Sequence, residues 1–213
     1  MDLKELVSAQ RRYWNSGATR SVGFRRDMLE KLERAVVSRE RELLSALRED
    51  LGKAPYESYA CEVGMTLAEL RCAKSHLTRW AAPKGRPSPM ALFPAKSRVV
   101  ADPYGVALIM SPWNYPVQLT LVPLISALAA GNCAVVKPSA YAPACSAVLK
   151  ALISDIFPRE YAAVVEGGRA ENSALLEERF DYIFFTGSTE VGRTVMRAAA
   201  EFLTPVTLEG GGK

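Results

Sequence analysis

The chain has 213 residues, of which 49% are hydrophobic and 23% charged, so it can bury a sizeable core and is not a disordered chain. A net charge of +4 attracts anions weakly and does not call for a nucleic-acid partner. One histidine, His76, excludes a histidine-rich metal site and a Ser-His-Asp arrangement.

The amino terminus, Met1-Asp2-Leu3-Lys4-Glu5, is charged and lacks the apolar centre of a leader. Phe24, Met28, Leu32 and Ala35 recur at steps of three and four and predict a helix. Leu43, Leu44 and Leu47 predict a second, stopped at Gly52. Tyr59, Val63, Leu67, Leu70, Leu77 and Trp80 predict a third. Residues 1–82 thus form a helical region that packs on the rest of the chain. Pro83, Pro87, Pro89 and Pro94 make residues 83–101 a linker or wrapping loop in which helix is excluded, with a strand at Ser97–Ala101.

From residue 102 to 213 short apolar runs alternate with helical segments. Val106–Met110, Ala134–Val136, Ala162–Val165, Tyr182–Phe185 and a run from Val206 read as strands. Val117–Ala130, closed by Gly131, and Ala144–Ile156, Ala174–Glu178 and Val191–Phe202 read as helices. Strands without polar alternation belong in a parallel sheet covered on both faces. The fold class is therefore α/β: a doubly wound, Rossmann-like sheet preceded by a helical region. The longest apolar run, 117–130, is shorter than the ~20 residues of a membrane span, although this leaves attachment by other means undecided. Cys61, Cys72, Cys133 and Cys145 lack C-x-x-C spacing, which fits reduced thiols in a cytoplasmic protein better than zinc or disulfides.

Doubly wound sheets bind ligands at the carboxyl ends of their strands. After the first such strand comes Ser111-Pro112-Trp113-Asn114-Tyr115-Pro116. Asn114 either caps its own backbone in a stiff turn or serves as a neutral N–H donor to an oxyanion. Lys137 after the second strand is either a snorkelling surface lysine or a cation for ribose hydroxyls. Thr186-Gly187-Ser188-Thr189-Glu190-Val191-Gly192 reads as a glycine-bounded loop opening a helix, an anion site. It lies one residue from a P-loop, with Arg193 where lysine is required. Glu209, before Gly210, Gly211 and Gly212, is either a general base or an ordinary surface carboxylate.

Taken in order, Pro103-Tyr104-Gly105-Val106, Ser111–Pro116, Ala130-Gly131-Asn132, Val136-Lys137-Pro138-Ser139, Phe185–Gly192 and Thr204–Glu209 resemble the aldehyde dehydrogenase superfamily. Phe180-Asp181 and Leu203–Leu208 resemble its class 3 branch most closely. The resemblance implies oxidation of an aldehyde to an acid with NAD or NADP through a cysteine thioester. By the same resemblance, Asn114 matches the oxyanion amide and Glu209 the catalytic glutamate. Lys137 matches the ribose lysine, Trp113 an aromatic of the cleft, and Gly187, Ser188, Thr189, Glu190, Val191 and Gly192 the diphosphate site. Family members are dimers or larger, and residues 97–101 match part of an oligomerisation arm.

Three departures stand out. The family's nucleophilic cysteine has no counterpart before Lys213, and Cys133 and Cys145 are expected to be structural. Ala140 replaces an acid that would disfavour NADP, and Gly210 replaces a leucine beside Glu209. Other readings are a non-catalytic nucleotide-binding or interaction module, a CoA-acylating relative and a P-loop NTPase.

Overall fold

The computed structural model describes residues 2–211. The first third is helical: α1 (Leu3–Asn15), α2 (Val22–Ser38), α3 (Glu40–Leu51), the short α4 (Pro55–Ser58), a π-helical turn (Tyr59–Val63) and α5 (Gly64–Ala81). Their apolar stripes place Leu29, Leu32, Val36, Leu43, Leu47, Leu70 and Leu77 in the core. Gly52 ends α3 in the left-handed conformation that glycine adopts without strain.

Two short antiparallel strands follow, β1 (Lys84–Arg86) and β2 (Ser97–Val99). The rest is β3 (Val106–Met110), α6 (Gln118–Ala130), β4 (Cys133–Lys137), α7 (Pro143–Ile156), β5 (Ala162–Val164), α8 (Arg169–Leu176), β6 (Tyr182–Ser188), α9 (Thr189–Glu201) and β7 (Val206–Gly211). The five strands are parallel in the order β5-β4-β3-β6-β7. Strands β3 and β4 are buried along their whole length, as continuous apolar runs require. Helices α2, α3 and α5 pack on α6 and α7, so helical region and sheet share one core.

The structure differs from the sequence reading at four places. Helix α1 was not expected. Asp2 caps it by accepting the Glu5 N–H, and Leu6, Val7 and Gln10 form its buried face. Within the proline-rich span, β1 and a single 3-10 turn at Met90–Leu92 appear where only irregular chain was predicted; one such turn needs no continuous ladder of N–H donors. Helix α8 begins five residues early, because the Glu171 carboxylate turns back to accept the Gly168 N–H at 2.6 Å. Strand β6 continues through Thr186-Gly187-Ser188, which pair with Glu209-Gly210-Gly211 of β7. The expected glycine-bounded loop is therefore strand, and α9 starts directly after it.

Candidate active site

The strand order turns at β3. The chain passes from β3 to β4 on one side, and later places β6 on the other. Such a switch point opens a crevice between the carboxyl ends of the two central strands. The register brings Lys137 and Glu209, two of the expected residues, to that edge. Met110 pairs with Lys137 on one side and Phe185 on the other, while Thr186 pairs with Glu209. Asn114 lies on the loop that leaves β3.

That loop is tied down. The Ser111 amide donates to the Lys137 carbonyl at 3.2 Å, and the Ser111 and Thr120 hydroxyls bond at 2.5 Å. Trp113 and Asn114 are exposed between two prolines. The Tyr115 N–H donates to the Asn114 side-chain oxygen at 3.1 Å. This is the backbone cap considered above, and by engaging the side-chain oxygen it leaves the NH2 group of Asn114 as a donor.

Lys137 is the last residue of β4 and only 3% exposed, so it does not snorkel. Its Nζ donates to the Pro138 carbonyl at 2.7 Å. Burial lowers its pKa, opposed by the charge of Glu171. The position after Ser139 is Ala140, exposed and without a carboxylate.

The helix N-termini at this edge are not equivalent. Glu62 accepts the Val117 and Gln118 amides at the start of α6. Asp50 accepts the Ala144 and Cys145 amides at the start of α7. Glu171 serves its own helix, α8. Of the four sheet helices α6 to α9, α9 alone receives no carboxylate bond at its first turn among the described residues; Ser188 caps it by accepting the Val191 N–H at 3.4 Å. Ser188, Thr189, Glu190 and Val191 are exposed, and Gly192 is buried below them. The positive end of one helix is therefore free of carboxylate beside the switch point. Gly187 has a packing reason of its own: a Cβ there would lie 2.5 Å from the Phe185 ring.

Glu209 is exposed on β7. Gly210 beside it pairs with Gly187 and so extends the ladder instead of loosening it. Gly212 and Lys213 lie outside the described residues.

The sequence matches the aldehyde dehydrogenase family over residues 1–213. The chain belongs to the aldehyde dehydrogenase family. It is 46% identical over 201 residues to the 4,4'-diaponeurosporen-aldehyde dehydrogenase of Staphylococcus aureus, covering 94% of this chain and 44% of that enzyme. It is 43% identical to aldehyde dehydrogenase family 3 member H1 of Arabidopsis thaliana, covering 100% of this chain and 44% of the relative. A solved structure described as the substrate-bound state of Staphylococcus aureus AldH superposes with a TM-score of 0.98 at 44% identity, covering 100% of this chain and 46% of that one. The relatives are class 3 enzymes, and this aldehyde dehydrogenase chain spans less than half of their length.

The family fold sets aside the P-loop reading, and the geometry gives the reason: β6 runs straight into α9, leaving no loop to wrap a phosphate. The cysteines of this aldehyde dehydrogenase chain divide by burial. Cys133 and Cys145 are buried, and desolvation pushes the Cys133 thiol up to about 12 and the Cys145 thiol higher still. Neither is a thiolate near neutral pH. Cys61 and Cys72 are exposed on the helical layer. Two cavities, of about 620 and 390 Å³, lie beside β5 and between α5 and α6. Neither is lined by Asn114, Lys137, Ser188 or Glu209, and register at the switch point is the firmer guide to the site.

Sequence reasoning missed Lys53 and Glu62. Glu62 is wholly buried and touches the loop that carries Asn114. Its place in an amphipathic helical run gave no signal, because a charge in such a run belongs by default on the solvated face.

Proposed function

We propose that this chain is the cofactor-binding part of an enzyme that oxidises an aldehyde to a carboxylic acid with NAD or NADP. The observation that carries the reading is the α9 N-terminus, which receives no carboxylate, at the switch point and on the same sheet edge as the exposed Asn114. The first-turn amides of α9, which receive no carboxylate, suit a diphosphate. Among the described residues Lys137 has a single hydrogen-bond partner, which leaves donors for ribose hydroxyls. Trp113, exposed next to Asn114, would line the cleft. When bound, the nicotinamide supplies the hydride acceptor.

The chain's own residues then have distinct tasks. Asn114 donates an N–H to the oxygen that gains charge as the carbonyl is attacked. Glu209, solvent-accessible on β7, takes a proton from water or thiol. The buried Cys133 and Cys145 do not supply the nucleophile, which belongs to the portion of the family enzymes that this chain does not match. A proton-accepting Glu209 favours hydrolysis over transfer to coenzyme A. With no carboxylate at Ala140, nothing there repels a 2′-phosphate, and NAD and NADP both bind. The exposed apolar side chains Met90, Phe93, Val99 and Val100 of the β1–β2 arm suit pairing with a second copy. The exposed thiols Cys61 and Cys72 suit the cytoplasm.

The test is aldehyde-dependent formation of the reduced nicotinamide by the full-length protein. Asn114→Ala is expected to lower kcat by about 10²–10³, the usual effect of losing one oxyanion donor. Turnover unchanged by this variant would overturn the assignment. Titration with both cofactors tests Ala140: comparable affinities are expected, and Ala140→Glu should weaken NADP selectively.

A further inference from the structure

Glu62 is 0% exposed and sits in the π-helical turn that joins α4 to α5. Its Oε1 accepts a hydrogen bond from Lys53 Nζ at 2.6 Å. Its Oε2 accepts the Val117 N–H at 2.8 Å and the Gln118 N–H at 3.3 Å. Lys53 Nζ also donates to the Asn114 backbone carbonyl at 2.8 Å, and stands 3.8 Å from the centre of the Tyr115 ring. One buried ion pair therefore grips residues 114–118 at both ends.

The local backbone makes this possible. In a π-turn each N–H reaches back five residues, and the extra residue re-aims the side chains that follow. The Gly64 N–H donates to the Tyr59 carbonyl in this way, and a Cβ on Gly64 would stand 2.9 Å from that same oxygen. Glycine thus permits the turn that points Glu62 inward while its neighbour Cys61 stays exposed.

The Glu62 carboxylate caps α6, and its burial requires the counter-charge that Lys53 supplies. The burial of an ion pair is costly and adds little stability over an apolar replacement, so the pair calls for a further role. The other contacts of Lys53 supply one, because they fall on Asn114 and Tyr115 and not on α6. We propose that Lys53 and Glu62 are positioning residues that hold the backbone of the Asn114 loop and so aim its side-chain NH2 at the developing oxyanion. This rests on the role assigned to Asn114 above. The clamp holds the carbonyl of Asn114, while the Tyr115 N–H holds its side-chain oxygen, and the NH2 is left as the group free to act.

The experiment is a double-mutant cycle in the full-length protein, measuring kcat and the KM for cofactor of Asn114→Ala, Lys53→Met and the two combined. Misplacing a catalytic group by about 1 Å can cost up to about 100-fold, so Lys53→Met is expected to lower kcat about tenfold or more with the cofactor KM unchanged. Combined with Asn114→Ala it should cost nothing further. A Lys53→Met loss that multiplies in full with that of Asn114→Ala would overturn the clamp, as would an unaltered kcat in Lys53→Met. If Asn114→Ala itself leaves kcat intact, the role of Asn114 fails and the clamp with it, a result distinct from the other two. Should Lys53→Met not fold because Glu62 is left uncompensated, the pair Lys53→Met/Glu62→Gln removes both charges and must show the same non-additivity.

Discussion

Lys137 is where stability and function should pull apart. Its ammonium is 3% exposed, has one acceptor among the described residues, at 2.7 Å, and is depressed in pKa by desolvation. A buried cation so poorly compensated weakens the fold, and an apolar side chain of similar length relieves that cost. Lys137→Met should therefore raise the stability of the cofactor-free protein by about 1–2 kcal/mol, or about 2–8 °C in Tm for a chain of this size. The same change removes a charged donor to ribose hydroxyls, worth about 1.5–3 kcal/mol, or roughly 10–100-fold in cofactor affinity. The pH dependence has a definite sign. Because the folded pKa lies below the ordinary value of about 10.4, the cost of burial is fully present at pH below that folded value. It falls as the pH rises towards the ordinary value, since the folded lysine sheds its proton before the unfolded one. The advantage of Lys137→Met should thus be largest at neutral pH and shrink in alkali. Differential scanning fluorimetry across pH, with and without cofactor, measures both effects. A lower Tm for the cofactor-free variant at neutral pH, or an unchanged cofactor affinity, would refute the reasoning.

Three further outcomes follow from contacts elsewhere. Gln10 is buried and donates to the Ala134 and Arg159 carbonyls at 2.9 and 3.0 Å, so Gln10→Leu should cost about 2–3 kcal/mol, read from the urea midpoint. Gly131 has φ +96, and a Cβ there would meet the Arg25 guanidinium at 2.6 Å. Arg25 is itself held by the Thr19 carbonyl, so Gly131→Ala should cost about 2–4 kcal/mol by the same measure. Glu33 is held below the usual carboxylate range chiefly by its hydrogen bond from Lys74. A depressed carboxylate stabilises above its ordinary pKa and loses that contribution as the pH falls through the folded value. Glu33→Gln should therefore cost about 0.5–1 kcal/mol near pH 7, and in acid unfolding the difference should shrink once the pH passes below the ordinary carboxylate range and vanish below the depressed folded value.

What could be read from the sequence was what the chain settles locally. The apolar runs Val106–Met110 and Ala134–Val136 have no polar alternation, and they are the buried centre of the sheet. Gly52 and Gly131 stood at the ends of periodic segments, and both end helices in the left-handed conformation. Local reading failed where a distant partner decides. Thr186-Gly187-Ser188 has the composition of a turn, but β7 offers a parallel neighbour, and the ladder carries the three residues into the sheet. Helix α1 is short and charged, and its buried face appears only once Gln10 finds carbonyls 124 and 149 residues away.

The same reasoning explains why the site was half legible. Asn114, Lys137, Ser188 and Glu209 could be proposed because strand ends are where a doubly wound sheet places its ligands. What leaves α9 without a carboxylate at its first turn is not written in its own sequence. It follows from Asp50 and Glu62, two carboxylates of the helical layer that occupy the N-termini of α7 and α6. In isolation both read as members of a solvated face. Their positions give the helical region a function beyond covering the sheet. By satisfying two of the positive helix ends at the carboxyl edge, and through Lys53 gripping the loop of Asn114, it leaves one helix N-terminus without a carboxylate and one free amide at that edge. An anionic cofactor and a developing oxyanion are the ligands for which such an edge is suited.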